Sequence, residues 1–197
     1  MSVRSKIVRL AIPFAALALA GCGINSVHAA EETAKARWAD VQNEYQRRAD
    51  LIPNLVITVK RYAEQEKDVL TSVTEARARA TSVQLSADDL DDPAKMRAFG
   101  DAQGSLSQAL GRLLMVTENY PDLKSNQNFL ALQSQLEGTE NRITVARRDY
   151  NEAVRDYNTR IRTFPDMMAA KMIYGAKPIT PFEATTAGAD TAPKVQF

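Results

Sequence analysis

The sequence predicts an all-α protein, an antiparallel up-and-down helical bundle. We expect three long helices, at about 32–83, 93–119 and 126–164, and a short C-terminal helix at about 166–174. The first observation behind this prediction is that apolar residues recur at every seventh position, as on one face of a helix packed lengthwise against others. The second is that residues 126–164 contain no Pro and a single Gly, so nothing in them interrupts a helix.

Residues 1–21 have the pattern of an export signal. Three cations precede an apolar run from Leu10 to Ala20, and small residues follow it. The closing Leu19-Ala20-Gly21-Cys22 resembles a bacterial lipobox, where lipoprotein signal peptidase cuts before a Cys that carries a diacylglyceryl group. We therefore predict a lipoprotein signal peptide at 1–21, attachment of lipid (palmitate-type acyl chains) at Cys22, and a linker at 22–31.

Two other interpretations of the N-terminus stay open. Val27-His28-Ala29 would suit an ordinary secretory cleavage, and the apolar run could remain uncleaved as a signal anchor, although it is shorter than the ~20 residues that span a bilayer. Cys22 is the only Cys of the chain, which favours the lipoprotein. Gly23 follows it rather than Asp. By resemblance to lipoproteins of two-membrane bacteria, this favours the outer membrane over the cell membrane, with the bundle on the periplasmic side.

The first long helix, 32–83, has one heptad position that continues through Pro53 without a shift. We therefore expect a kinked but continuous helix there, although Asp50 could instead cap a fresh helix with Pro53 in its first turn. Arg48 and Glu66 are polar residues within the stripe. They either pair across the interface or reach out to water, and we favour the second interpretation. The apolar members of the stripe are Trp38, Tyr45, Ile52, Val59, Val73 and Ala80 at one heptad position and Val41, Leu55, Tyr62, Val69 and Ala76 at the other.

Four aspartates lie between residues 88 and 92, just before the second helix. They suggest a calcium site, but the spacing, Gly and terminal Glu of an EF-hand are missing. We favour a structural role, in which Asp92 caps a helix that begins at Pro93 and the acids lie near its positive end.

The third helix, 126–164, carries the longest unbroken heptad and is capped by Asn126 or Ser125. Residues 166–174 have a Met-rich apolar side that we expect to cover the end of the bundle. Residues 184–197 have the composition of a disordered tail. The heptad of the third helix consists of Phe129, Leu136, Ile143, Tyr150, Tyr157 and Phe164.

Several sequence runs resemble the LemA family of bacterial membrane-associated helical proteins, over roughly residues 33–183. The resemblance implies a helical bundle at 32–183 held at a membrane by its N-terminus, and it supplies no catalytic residue. Many relatives have an uncleaved N-terminal membrane helix, from which the lipobox here departs. The runs are Arg47-Arg48-Ala49-Asp50-Leu51-Ile52-Pro53-Asn54-Leu55-Val56, Val73-Thr74-Glu75-Ala76-Arg77, Glu118-Asn119-Tyr120-Pro121-Asp122-Leu123-Lys124, Leu136-Glu137-Gly138-Thr139-Glu140-Asn141-Arg142-Ile143 and Tyr150-Asn151-Glu152-Ala153-Val154.

The composition gives no sign of an enzyme or a nucleic-acid-binding protein. Without residues 1–21 the chain has 22 basic and 24 acidic residues, a net charge of −2, and its one His precedes the bundle. No phosphate loop, zinc motif or nucleophile elbow occurs, so we expect no cofactor and no metal. A buried carboxylate pair among Glu66, Glu137 and Glu140 is the one catalytic arrangement left open.

We therefore expect a non-enzymatic scaffold or interaction module. Its partners would be membrane lipid, through Cys22, and an unidentified envelope protein, and the oligomeric state is open. The alternative is a small-ligand or signal sensor with a pocket inside the bundle. A cavity lined by Tyr45, Tyr62, Tyr150 and Tyr157 would favour the sensor, whereas a filled core with an apolar patch outside would favour the scaffold.

Overall fold

Four long helices build the fold in a computed structural model, which describes the backbone of residues 3–183 and the side chains of residues 25–183. No strand occurs in that part of the chain, and the prediction of an all-α bundle is confirmed. The elements are α1 (Val3–Lys60), α2 (Lys67–Ser82), a 3-10 turn (Ala87–Asp89), α3 (Pro93–Thr117), α4 (Pro121–Lys124), α5 (Gln127–Arg160), α6 (Asp166–Ala169) and a π-helical turn (Ala170–Tyr174).

The helix predicted at 32–83 is two helices, because the chain turns back between α1 and α2. The prediction of three long helices was wrong in this respect. The heptad alone does not separate a continuous helix from a folded hairpin, since both arms direct their apolar stripes into the same core. The polar residue of the stripe that lies at the turn is Glu66, which is half-buried there and accepts a hydrogen bond from the Tyr120 hydroxyl at 2.8 Å.

Pro53 lies inside α1, and the helix continues past it to Lys60. Leu51 to Leu55 are helical, so the prediction of a helix that passes through Pro53 is confirmed, and the alternative of a fresh helix capped by Asp50 is wrong. Ile52 and Leu55 are buried on either side of Pro53. Their burial keeps the stripe in place where the proline removes a backbone hydrogen bond.

Side-chain contacts show that neighbouring helices are antiparallel. Arg77 Nε of α2 donates to the carbonyl of Ala49 in α1 at 2.7 Å, and Trp38 Nε1 donates to the carbonyl of Leu85 at 3.2 Å. As α1 proceeds, its partners on the α2 side therefore run backwards. The same holds for α1 and α5, where Ser26 meets Asp166 at one end and Tyr62 meets Asn126 at the other.

The core consists of two apolar clusters stacked along the bundle. The N-terminal core surrounds Trp38, and the hairpin core surrounds Leu55 next to the α1–α2 turn. Three buried polar residues separate the two clusters, one on each of three helices: Arg48 of α1, Gln103 of α3 and Thr139 of α5. Along its helix, each lies between the residues of one cluster and those of the other. These three residues form a polar layer between the two apolar clusters.

The ends of α3 and α5 follow from local chemistry. The Asp92 carboxylate accepts from the backbone N–H groups of Ala94 and Lys95, and Asn126 caps α5 in the same way. Both caps were predicted. At the other end, α5 stops at Arg160 and Phe164 is 79% exposed, so the predicted heptad position of Phe164 was wrong.

Residues 175–183 form an extended C-terminal segment that returns along α5. Asn158 donates to the carbonyl of Ile179 and accepts from its N–H, at 2.7 and 2.9 Å. Asn151 does the same with Phe182, at 2.9 and 2.7 Å. Phe182 is buried, and its ring packs against the rings of Trp38, Tyr45 and Phe99.

The linker expected at 22–31 is instead part of α1, where Val27 and Ala30 are already buried. The signal peptide predicted at 1–21 and the side chain of Cys22 lie outside the described side chains. The tail predicted at 184–197 lies outside the described residues.

Candidate functional site

One end of the bundle carries exposed apolar side chains that we call the apolar end patch, made of Phe164, Met168, Met172 and Ile173. Their exposed fractions are 79%, 50%, 77% and 58%. The inward side of this segment consists of Ala169 and Ala170, which are buried. The expectation that the Met-rich side covers the end of the bundle was therefore wrong for Met168, Met172 and Ile173, because the small alanines fit against the bundle and leave these three side chains exposed, whereas Met167 is half-buried.

The apolar end patch lies at the end of the bundle that is nearest to Cys22 of α1. The Ser26 hydroxyl donates to the Asp166 carboxylate at 2.7 Å, and the His28 and Tyr174 rings stack with centroids 6.3 Å apart. Cys22 is four residues before Ser26 on the same helix, about 6 Å along the axis. The predicted lipid-attachment residue and the patch are therefore neighbours.

Arg48 is the centre of a polar cluster that joins three helices. Its guanidinium donates to Glu140 Oε1 at 2.9 Å, to Ser107 Oγ at 2.8 Å, and to Gln103 Oε1 at 2.7 Å. Gln103 in turn donates to the carbonyl of Ala80 on α2 at 3.1 Å. Nothing in the cluster is arranged for proton transfer, and its contacts give it a structural role.

The prediction that Arg48 reaches out to water was wrong. The side chain is 1% exposed, and it also packs its guanidinium 5.0 Å from the centre of the Tyr45 ring. A buried cation needs acceptors, and Gln103 and Glu140 supply them from helices that the sequence alone does not place beside α1.

The three glutamates considered as a catalytic pair do not meet. Glu66 binds the Tyr120 hydroxyl at the α1–α2 turn, and Glu140 pairs with Arg48 in the middle of the bundle. Glu137 is exposed and accepts a hydrogen bond from Gln133. The carboxylates lack the shared site that acid–base catalysis by a pair would need.

The four tyrosines named for a sensor pocket do not converge on one cavity. Tyr150 and Tyr157 are buried, with hydroxyls that donate to the carbonyls of Thr180 and Lys177, and burial raises the pKa of both phenols. Tyr62 is exposed at the far turn, where its oxygen accepts a hydrogen bond from Asn126. Tyr45 borders an open groove of about 560 Å³ between α1 and the α2–α3 connection.

The aspartates before α3 have structural partners. Asp92 caps α3, and Asp89 accepts from the backbone N–H and hydroxyl of Ser86 and pairs with Lys95. The Lys95 ammonium, followed by the Ser86 donors, lowers the pKa of Asp89 to about 2. Asp91 pairs with Lys177 of the C-terminal segment at 2.9 Å. The structural interpretation of this acidic stretch is thus the one that the contacts support.

Among the residues that the structure describes, no three His, Cys, Asp or Glu side chains are grouped so that they could hold a metal ion. In the same part of the chain, none of the helices combines the length and the apolar character needed to cross a bilayer.

The sequence interpretation missed the residues that hold the C-terminal segment. Asn151 and Asn158 are seven residues apart on α5, so they point to the same side and bind the same extended chain. Arg147 continues this row, with its guanidinium 4.1 Å from the centre of the Phe182 ring. The signal available in the sequence was the pair of Asn residues seven positions apart, beside the apolar heptad of the same helix.

The chain is similar to curated proteins named MamQ and LemA. The chain is 28% identical to magnetosome protein MamQ of Magnetospirillum gryphiswaldense over 174 residues, which are 80% of this chain and 63% of that protein. It is 28% identical to magnetosome protein MamQ 2 of Paramagnetospirillum magneticum over 150 residues, 68% of this chain and 55% of that protein. It is 26% identical to protein LemA of Metamycoplasma hominis over 121 residues, 61% of this chain and 51% of that protein.

The chain thus spans between half and two thirds of the length of these curated relatives. The model of the LemA family matches residues 37–197, which include the C-terminal part of α1 and every later helix of the described bundle. The extent of this match shows that the chain belongs to the LemA family.

Proposed function

We propose that the chain is a non-enzymatic lipoprotein of the bacterial envelope, held at a membrane through lipid on Cys22. The bundle would act on the periplasmic side as a scaffold or protein-interaction module. The observation that carries the proposal is the position of Leu19-Ala20-Gly21-Cys22 on the helix that forms the first wall of the bundle. Val27, five residues after Cys22, is already fully buried, so a lipid on Cys22 would hold the whole bundle close to the bilayer.

The packing of the bundle supports a scaffold over a sensor. Tyr150 and Tyr157 fill the N-terminal core, and their hydroxyls bind backbone carbonyls rather than lining an empty space. Large apolar side chains are instead exposed at the bundle end, as expected of a surface that contacts something else. The sensor therefore has little support from the groove beside Tyr45, which is open to solvent.

The contacts that the described His28, Glu66 and Glu140 make are consistent with a non-enzymatic role. His28 is exposed, and its ring stacks on the ring of Tyr174. Glu66 and Glu140 are engaged with Tyr120 and Arg48 at separate places. Neither arrangement supplies the nucleophile and base that group transfer requires.

The N-terminal peptide of the protein isolated from cells tests the anchoring. We expect mass spectrometry to find Cys22 as the first residue, carrying acyl chains. Cys22→Ser should remove fatty-acid labelling and leave an unprocessed precursor, whereas Ser26→Ala, four residues further along α1, should be processed normally. An unmodified chain that begins at Ala30 would show instead that the ordinary secretory site is used.

Separation of the two membranes tests the outer-membrane assignment drawn from Gly23. In a two-membrane bacterium, we expect the wild-type protein in the outer membrane and Gly23→Asp in the cell membrane. Cross-linking in cells followed by mass spectrometry would then identify the envelope protein that the scaffold binds. Recovery of lipid cross-links without any protein partner would argue against the interaction module.

A further inference from the structure

The apolar end patch is unusual for a surface in water. Phe164 and Met172 are each more than three quarters exposed, and Ile173 and Met168 lie beside them in the same short segment. Scattered exposed apolar residues are normal, but four large ones within ten residues, on one short segment, are a concentration of apolar surface that water solvates poorly. We therefore expect this surface to contact an apolar partner.

The position of the patch indicates which partner it faces. Asp166, which lies within the patch segment, and Tyr174, which follows it, contact Ser26 and His28, among the first α1 residues whose side chains the structure describes. Cys22 lies about 6 Å further along that helix, in the direction that leads away from the bundle. The patch is thus at the end of the molecule that faces the bilayer.

The charges around the patch suit an anionic lipid surface. Residues 160–174 carry three cations, Arg160, Arg162 and Lys171, and one acid, Asp166. The acid is already occupied, because it accepts from Ser26 and faces Arg160 at 3.7 Å. Arg162 and Lys171 are exposed at the rim, and each cation near an anionic bilayer raises affinity by about fivefold.

We propose that the apolar end patch enters the headgroup and upper acyl region of the membrane, as a second attachment beside Cys22. Phe164, Met168, Met172 and Ile173 insert, while Arg162 and Lys171 contact lipid phosphates. This proposal rests on the membrane location proposed above but not on lipid modification of Cys22 itself. Two attachments at one end fix the bundle upright, with the α1–α2 turn directed away from the bilayer.

The test uses residues 22–197, which retain every buried side chain that the structure describes, from Val27 to Phe182. Cys22, the only thiol, is coupled to a maleimide lipid in vesicles of phosphatidylglycerol and phosphatidylethanolamine with brominated acyl chains, which quench nearby tryptophan. The chemical tether makes this test independent of whether Cys22 is lipidated in cells. Met172→Trp reports on the patch, and the single native Trp38, which is 1% exposed, reports on the core.

Met115→Trp is the matched control. Met115 is 66% exposed, close to the value for Met172, but it lies near the end of α3 at the opposite end of the bundle. We expect brominated lipid to quench Met172→Trp strongly and to shift its emission to the blue, with no effect on Met115→Trp or Trp38. Adding Phe164→Gln and Ile173→Gln to Met172→Trp should reduce quenching severalfold, because full burial of each such side chain contributes about tenfold to partitioning.

Equal quenching of Met172→Trp and Met115→Trp would overturn the proposal, since the bundle would then have no preferred orientation. A blue shift of Met172→Trp without quenching would also overturn it, and would indicate that a second copy of the chain covers the patch. Circular dichroism of each variant confirms that the bundle is folded.

Discussion

The ion pair of the polar layer gives a stability prediction that burial alone would not suggest. Replacing the half-exposed Glu140 should lower the stability more than replacing the buried Arg48. Arg48 is 1% exposed, whereas the Glu140 side chain is 47% exposed and lies 2.9 Å from the guanidinium. Removing the carboxylate leaves a cation in the core without its counter-charge. Removing the cation leaves a carboxylate that water can solvate.

The magnitudes follow from these contacts. Glu140→Gln keeps the shape and one acceptor, but it should lower the free energy of unfolding by ~2–4 kcal/mol, somewhat below the usual cost for breaking a buried pair because Glu140 is half exposed. Arg48→Met keeps the apolar stem, relieves the desolvated charge, and leaves Gln103 Oε1 without its donor, for a cost of ~1–3 kcal/mol. Once the cation is gone Glu140 has no partner, so the double variant should match Arg48→Met.

Urea unfolding followed by circular dichroism on residues 22–197 measures the free energy of unfolding of the wild type, the two single variants and the double variant, which together form a double-mutant cycle. Glu152→Gln is the matched control, since Glu152 is 69% exposed in a surface pair with Arg155 and should change stability by less than ~0.5 kcal/mol. A clearly larger cost for Arg48→Met than for Glu140→Gln would refute the reasoning. It would mean that the hydrogen bonds to Gln103 and Ser107, and not Glu140, hold the guanidinium.

Three further predictions concern the core, the C-terminal segment and the acidic turn. Tyr150→Ala should cost ~3–5 kcal/mol in thermal unfolding, because the ring is fully buried, and an unchanged melting temperature would contradict its packing. Phe182→Ala should cost ~3 kcal/mol, and it should speed hydrogen exchange of the Phe182 amide far more than exchange in α3. Asp89 has its pKa lowered from 3.8 to about 2, so its contribution is complete above pH 4 and lost as the pH falls through 2. An NMR titration of the carboxyl carbon should show that midpoint for wild type, and Lys95→Gln should move it upward.

Sequence periodicity predicted which faces of the helices are buried. Trp38, Ile52, Tyr150 and Tyr157 were assigned to the core from seven-residue spacing alone, and each is buried. The spacing is informative because a helix has one side to bury and the same geometry repeats along it. The caps at Asp92 and Asn126 were equally predictable, because they depend only on neighbouring residues.

The features that were missed depend on contacts between distant parts of the chain. Residues 61–66 contain no Gly or Pro, and the turn there forms because each arm packs better against the other and against α3 than it would alone. Arg48 is buried because Gln103 and Glu140 arrive from other helices. The apolar end patch was not predicted because Met172 and Ala170 are both apolar. The sequence alone does not show that the small alanine packs inward while Met172 stays exposed.

The polar layer also limits how the helices can be aligned during folding. Trp38, Tyr45, Ile52 and Val59 are spaced by seven residues, so α1 could slide by one heptad against its neighbours and still meet apolar side chains. Such a slipped pairing would carry the Arg48 guanidinium away from Gln103 and Glu140 and into an apolar cluster, where it would have no acceptor. The cost of that misalignment separates the native arrangement from its nearest competitors, as a single buried polar residue does in a coiled coil.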